Sequence, residues 1–315
     1  MASALDPHGP AAAILAHDGV LVLALFVGVT AVLWLLVLWV ALRKRGSLSE
    51  HAPIDVGGGM RWVLVGGLGV PAAVLAGVFI GMLTELHAIP MEAGHVHGTP
   101  AVKVIGHRWW WEVEYRAGGT SQYVTTANEV HVPTGTDVDI ELATTDVIHS
   151  FWVPSLHGKV DLIPNQSTHI RIQATDVGTY RGQCAEFCGA EHANMLFWVI
   201  AEPPAQFAAW LDSQRQPGAV PAADEEQRGQ TVFIRHACVT CHTIRGTLAR
   251  ATVGPDLTHI ASRRSLAGAF PNDESWLRAW VSHAQSLKPG VLMPSLPEFE
   301  EGELQALTAY LRSLR

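Results

Sequence analysis

Cysteine is scarce in this chain, four in 315 residues, and none lies near the start, so no lipid anchor is on offer there. Charge is missing altogether from Gly19 to Leu42 and from Trp62 to Thr84, 24 and 23 residues. At 1.5 Å per helical residue each run is long enough for a bilayer core of about 30 Å, so both read as membrane spans. Neither contains a histidine. No basic stripe is present, which argues against a nucleic-acid partner. Residues 1–18 have no Lys or Arg, whereas Arg43, Lys44, Arg45 and Arg61 cluster between the two runs. That asymmetry predicts a cytoplasmic connection (43–61) between spans 19–42 and 62–84, with both termini outside. A cleavable signal peptide is the alternative for the first run. Its length and an Arg-Lys-Arg flank that follows rather than precedes it favour an uncleaved span.

All four cysteines fall into two metal-site spacings. One is Cys238-Val239-Thr240-Cys241-His242, the attachment signature of c-type haem, in which two thiols add to the vinyl groups and His242 faces the iron. A thioredoxin-like pair would need a βαβ pattern that this stretch lacks. Met293 is the only methionine downstream and precedes Pro294, which makes it the first candidate for the sixth iron ligand, with His259 and His283 as fallbacks. The other spacing is Cys184-x-x-x-Cys188 followed by His192 and Met195. Soft thiolates with an imidazole and a thioether select copper, and two thiolates on one loop suffice to bridge two copper ions. His149 is the candidate for a second imidazole. A Cys184–Cys188 disulfide would explain neither His192 nor Met195, and zinc would have no use for the methionine.

Hydrophobic content of 48% with 16% charged residues suits two membrane helices joined to two soluble domains. Alternation at Val130-Val132, Val138-Ile140-Leu142 and Ile170-Ile172, with Pro133-Thr134-Gly135 and Val177-Gly178 between, predicts short antiparallel strands in a sandwich over 95–203. Within 204–223, a short helix is expected over Ala205 to Arg215, followed by a flexible tether over Gln216 to Ala223. Residues 224–315 should be helical, with Leu304, Leu307, Leu311 and Leu314 along one face of a closing helix. From His87 to Pro203 there are 6 Lys/Arg against 13 Asp/Glu, a net of −7, while Asp224 to Arg315 has 10 against 10. An acidic face of that kind would speed encounter with a basic donor, or would simply serve solubility.

Three blocks carry a family resemblance: Gly106-His107-Arg108-Trp109-Trp110-Trp111-Glu112, the segment from His149 through Pro154 to Asn165, and the loop Cys184 to Met195. Together they resemble subunit II of haem-copper cytochrome c oxidases, and the trailing haem motif makes the chain similar to the cytochrome-c-fused bacterial type. The resemblance implies a two-helix transmembrane hairpin, an all-β cupredoxin-like Greek-key sandwich and an all-α cytochrome c domain. It implies a dinuclear copper A centre held by His149, Cys184, Cys188, His192, Met195 and the Glu186 carbonyl. The Glu186 side chain would face a magnesium ion shared with subunit I, and Trp109 would be where electrons arrive. Trp110 and Trp111 read as packing. Family members often carry Glu where Gly59 stands, Gln at Arg108 and Tyr at Val113; no proton role is therefore carried to Gly59.

The implied activity is that of a proton-translocating cytochrome c oxidase acting as a complex. This chain would accept electrons at covalent haem c from an external cytochrome c or other donor, and pass them by copper A to a haem of subunit I, which reduces oxygen. Without intramembrane histidines it cannot reduce oxygen alone. Subunit III and membrane lipid are further expected partners, and the bacterial inner membrane is the expected location, with both soluble domains on the periplasmic side. A tethered cytochrome replaces diffusive encounter by an effective concentration on the order of millimolar, set by a short linker. Two alternatives are a nitric-oxide-reducing relative with a similar copper-bearing subunit and an autonomous membrane-anchored carrier. A copper-delivery protein would need an exposed, exchangeable thiol site, and quinol oxidases of the superfamily lack the copper ligands.

Overall fold

The computed structural model describes residues 3–43, 59–86, 102–116, 123–296 and 298–315. Lys44 and Arg45, most of the predicted cytoplasmic connection, and residues 95–101 of the predicted copper domain lie outside the described residues. The chain divides into two bodies, residues 13–90 and residues 1–12 with 91–315.

In the first body, helix α1 (Pro10–Leu42) starts well before Gly19, because Pro10 takes the first helical position and the Ala-rich stretch behind it favours helix. The second apolar segment runs through α2 (Gly59–Trp62), a π-helical stretch Val63–Gly69 and α3 (Val70–Leu86). Pro71 supplies no amide for the carbonyl four residues back, which gives the helix a local reason to widen there. Both helices are long and apolar enough to cross a membrane.

Ten strands form the sandwich. One sheet has the order β3-β2-β1-β5-β8, from Tyr123–Ala127, Trp110–Arg116, Val102–His107, Val138–Thr144 and Thr168–Ile172. The other has the order β4-β10-β9-β6-β7, from Glu129–Pro133, Leu196–Glu202, Gly178–Cys184, His149–Trp152 and Val160–Leu162. Inward side chains such as Trp111, Ile140, Leu142, Phe151 and Phe197 are fully buried between them. Strand direction departs from the expectation of antiparallel pairing alone: β1 pairs with β5 and β4 with β10 in parallel. Alternation reports which face a residue buries, and it is blind to strand direction.

The anticipated short helix is α4 (Pro204–Gln214). Beneath it, His131 stacks on Trp210 at 3.8 Å, with Nδ1 3.2 Å from Glu202 and Nε2 3.8 Å from Glu129. Burial opposes its charge, but the two carboxylates outweigh burial and raise its pKa above the ordinary 6.5. A raised folded pKa means that this contribution to stability is complete below the unfolded value and is lost as pH rises through the folded one. His131→Gln should therefore flatten the decline in urea midpoint that wild type shows on going from mildly acid to alkaline pH.

The C-terminal domain is built on α5 (Asp224–Arg235), α6 (Glu274–Leu287) and α7 (Glu303–Ser313), with a two-residue hairpin of β11 (Ser265–Leu266) and β12 (Phe270–Pro271) as its strands. Leu307, Leu311 and Leu314 are buried, and Leu304 packs at the edge of the same core. α5 crosses α7 at Gly229, where a Cβ would overlap the carbonyl of Ala306. The segment expected to be a flexible tether is pinned instead: Gly218 N–H donates to Arg245 O at 2.8 Å, and Gln216 O lies 3.1 Å from His259 Nε2. Proline and glycine there serve close packing, as with Pro217 against the backbone of Gly246.

Candidate metal centre and haem pocket

Strand β9 ends on Cys184, and the chain loops through Cys188 and a 3-10 turn (His192–Asn194) before re-entering the sheet as β10. The Cys184 amide donates to Met195 O at 3.0 Å, which closes the loop on itself. Strand β6 presents His149 from the side, and a Cβ on Gly106 would stand only 2.8 Å from its ring. Gly106 thus makes the room that His149 occupies. The result is one cluster: Cys184 Sγ lies 3.7 Å from Cys188 Sγ and 3.8 Å from His149 Nδ1, while Cys188 Sγ lies 3.6 Å from His192 Nδ1 and 3.7 Å from Met195 Sδ. The Glu186 carbonyl is 3.2 Å from Cys184 Sγ, while its carboxylate points elsewhere, 3.6 Å from Lys159 Nζ. Both cysteines are free thiols.

The electrostatics favour a metal. The contact between the two sulfurs, with help from His149, holds the Cys184 thiol well below the usual thiol range, while the same sharing pushes Cys188 up. The site thus holds one thiolate readily, and a cation would favour the second. Asp146, not singled out from sequence, bonds His149 Nε2 at 2.8 Å, leaving Nδ1 toward the sulfurs. Against its own burial, Asp146 is held down to about 2 by His149 and by the amides of Val147 and Arg108. A carboxylate behind a ligating imidazole fixes its tautomer and orientation. Asp146→Asn should weaken copper binding by about 10–100-fold, the range for outer-shell partners, as measured by chelator competition.

A second site opens in the C-terminal domain, a cavity of about 320 Å³ lined by Cys238, Cys241, His242 and Met293. His242 Nδ1–H donates to Pro255 O at 2.8 Å, which leaves Nε2 available, and burial lowers the ring's pKa by disfavouring its charged form. Gly254 gives the ring clearance, since a Cβ there would come within 2.7 Å. Among the described residues, His259 and His283 do not line the cavity, and His259 Nε2 faces Gln216 O. Arg263 does line it, and its buried Nε has no hydrogen-bond partner. Such an orphan donor on an apolar wall fits the carboxylate of a haem, and no spacing in the sequence announced it.

Trp109 touches both sites. Its indole N–H donates to Cys188 O at 2.9 Å, and its side lines the cavity that holds Cys238 and Met293. Gly189, at φ +117°, admits it, because a Cβ would meet the indole at 2.9 Å. Trp111 is core, wedged among Phe151, Phe197 and His149, and Trp110 stacks on His107 at 4.4 Å.

Residues 117–202 match the family model for the cytochrome C oxidase subunit II periplasmic domain, and residues 226–315 that for cytochrome c. The cytochrome c oxidase subunit 2 of Alkalihalophilus pseudofirmus is 34% identical over 325 aligned positions, covering 99% of this chain and 91% of that protein. The chain belongs to the cytochrome c oxidase subunit 2 family. Within that family, the protein of Bacillus sp. PS3 is 31% identical over 227 residues, 69% of this chain and 63% of its own. Among solved structures, the periplasmic domain of subunit II (CoxB) of Bradyrhizobium japonicum is 24% identical, with a TM-score of 0.36 over 40% of this chain and 96% of that one. Membership implies a copper A centre in the sandwich, a haem in the C-terminal domain and subunit I as a partner, and makes the chain part of an oxidoreductase.

Proposed function

We propose that this chain is the subunit through which electrons enter a terminal cytochrome c oxidase, received in its C-terminal domain from an external donor and delivered through the sandwich toward subunit I. One observation carries the reading: Trp109 is hydrogen-bonded to the copper loop and also forms a wall of the haem cavity. In this reading Cys238 and Cys241 would hold haem c covalently, His242 and Met293 would ligate its iron, and Arg263 would meet a haem carboxylate. His149, Cys184, Cys188, His192, Met195 and the Glu186 carbonyl hold two copper ions. When bound, these groups exchange single electrons. The protein's part is to hold them: the Asp146–His149 pair fixes one imidazole, the Pro255 carbonyl orients the other, and the buried sandwich loop limits geometric change at the sulfurs. The Glu186 carboxylate, released from Lys159, is the candidate for magnesium at the boundary with subunit I.

Oxygen reduction with proton pumping falls to subunit I, with subunit III and lipid around the two apolar helices. Backbone bonds from His8 N–H to Ser155 O (2.7 Å) and from Thr175 N–H to His8 O (2.8 Å) tie the residues ahead of α1 to the sandwich, which supports placing the N-terminal segment and both soluble domains on one side, the periplasmic side of a bacterial inner membrane. The test uses the full chain in mild detergent. We expect haem that resists acid-acetone extraction, and two coppers per chain whose paramagnetic resonance shows an unpaired electron coupled to both nuclei. We also expect a many-helix haem protein to co-purify and the complex to turn over oxygen. A single copper, or extractable haem, would refute it. Trp109→Phe should slow haem-to-copper transfer with both spectra intact.

A further inference from the structure

Lys288 is the only lysine beyond residue 159, yet it is 1% exposed. It caps the end of α6, and its ammonium donates to three carbonyls: Trp109 O at 2.6 Å, Ala267 O at 2.9 Å and Asn194 O at 3.1 Å. An ammonium has three N–H groups, so every donor is matched. Ala267 belongs to the C-terminal domain itself, in the β11–β12 turn. Trp109 and Asn194 belong to the sandwich, one immediately before β2 and the other in the copper loop between His192 and Met195. Around this point the two domains meet at backbone distance. Gly290, at φ +86°, leaves its Cβ position 3.4 Å from the Trp109 ring, and a Cβ on Gly268, at φ +78°, would overlap Leu196 O. The Glu129 carboxylate accepts the amides of Arg264 and Ser265 across the same seam.

We propose that Lys288 is the positioning residue that keeps the C-terminal domain seated over Trp109, so that the haem pocket and the copper loop hold one separation instead of meeting by chance encounter on a tether. This rests on the functional reading above. Burying an ammonium is costly, and burial draws its pKa down to about 8, partly offset by Glu191. A residue so placed for fold stability alone would be better served by an apolar side chain. Here the three acceptors come from two domains, and the charge joins them. With Trp109 only 7% exposed beneath this contact, an external donor would reach this tryptophan by way of the haem domain.

Lys288→Met keeps the stem and removes the donors. In the full holoprotein, haem-to-copper electron transfer after flash reduction should slow by about tenfold or more, the factor expected for loss of even one of the three charge-assisted hydrogen bonds, and become dependent on viscosity. The enhancement of copper spin relaxation by ferric haem should weaken in parallel. Haem and copper spectra should stay as in wild type. Wild-type transfer rate and spin relaxation in the variant would overturn the proposal. If Lys288→Met does not fold, Gly268→Ala wedges the same seam without unpairing a charge; weakened spin coupling there supports the proposal, and unchanged coupling overturns it. Absence of either metal spectrum from the unaltered protein would instead defeat the functional reading, and this inference with it.

Discussion

Cys188→Ser should leave the chain with no more than one copper and no electron transfer beyond the haem. Cys188 Sγ is the hub of the cluster, with Cys184, His192 and Met195 all within 3.7 Å of it. A hydroxyl remains protonated where a thiol beside a cation ionises, so the variant loses a bridging anion and retains an unpaired buried polar group. Even outer-shell changes cost about 10–100-fold in metal affinity, so a bridging ligand should cost more. Copper held by the folded state alone stabilises by about 4 kcal/mol at a thousandfold excess over Kd, and that increment should vanish from the thermal unfolding of the variant. Metal analysis and paramagnetic resonance check the first outcome, and calorimetry with and without copper checks the second. Two coupled coppers in Cys188→Ser would mean that the cluster binds some other way.

Gly229→Ala should be the most damaging change outside the metal sites. The α5–α7 crossing brings the backbone of Ala306 and Cβ of Tyr310 (2.7 Å) into the space a methyl would need. Backbone cannot yield as a side chain can, so the helices must part. Overpacking of this kind costs about 1–3 kcal/mol and sometimes more. At about 4–8 °C per kcal/mol for a domain of this size, the haem domain should lose on the order of 10 °C in Tm while the sandwich is unaffected. Because the crossing forms a wall of the haem cavity through Phe233, Leu307 and Leu311, haem retention should fall as well. A melting curve matching wild type would show that α5 and α7 can shift apart at no cost.

The residues proposed to carry chemistry were legible in order along the chain because each metal would impose a local spacing. Two thiols three or four apart and a histidine close behind are constraints that one loop can satisfy. Met293 could be named because it is the last methionine. Residues that act at long range left no such mark. Asp146 reads as one acidic residue among many, Arg263 as one of two adjacent arginines, and Gly106 as an ordinary strand glycine, until His149 and the cavity are placed against them. The same holds for strand direction and for the tether, since alternation and proline content describe a residue's own surroundings and carry no information on its partner.

Sequence by itself determined the family, the two apolar spans and the sandwich followed by a helical domain, and supplied the candidate ligands, because composition, periodicity and spacing are properties of contiguous chain. Only the tertiary structure decided that Lys288 bridges two domains, that Trp109 lies beneath the haem domain, and that Gln216 and Gly218 are held down. Those depend on groups far apart in the chain, such as Lys288 and Trp109, coming within about 3 Å, the reach of a hydrogen bond, and no local pattern encodes such a meeting.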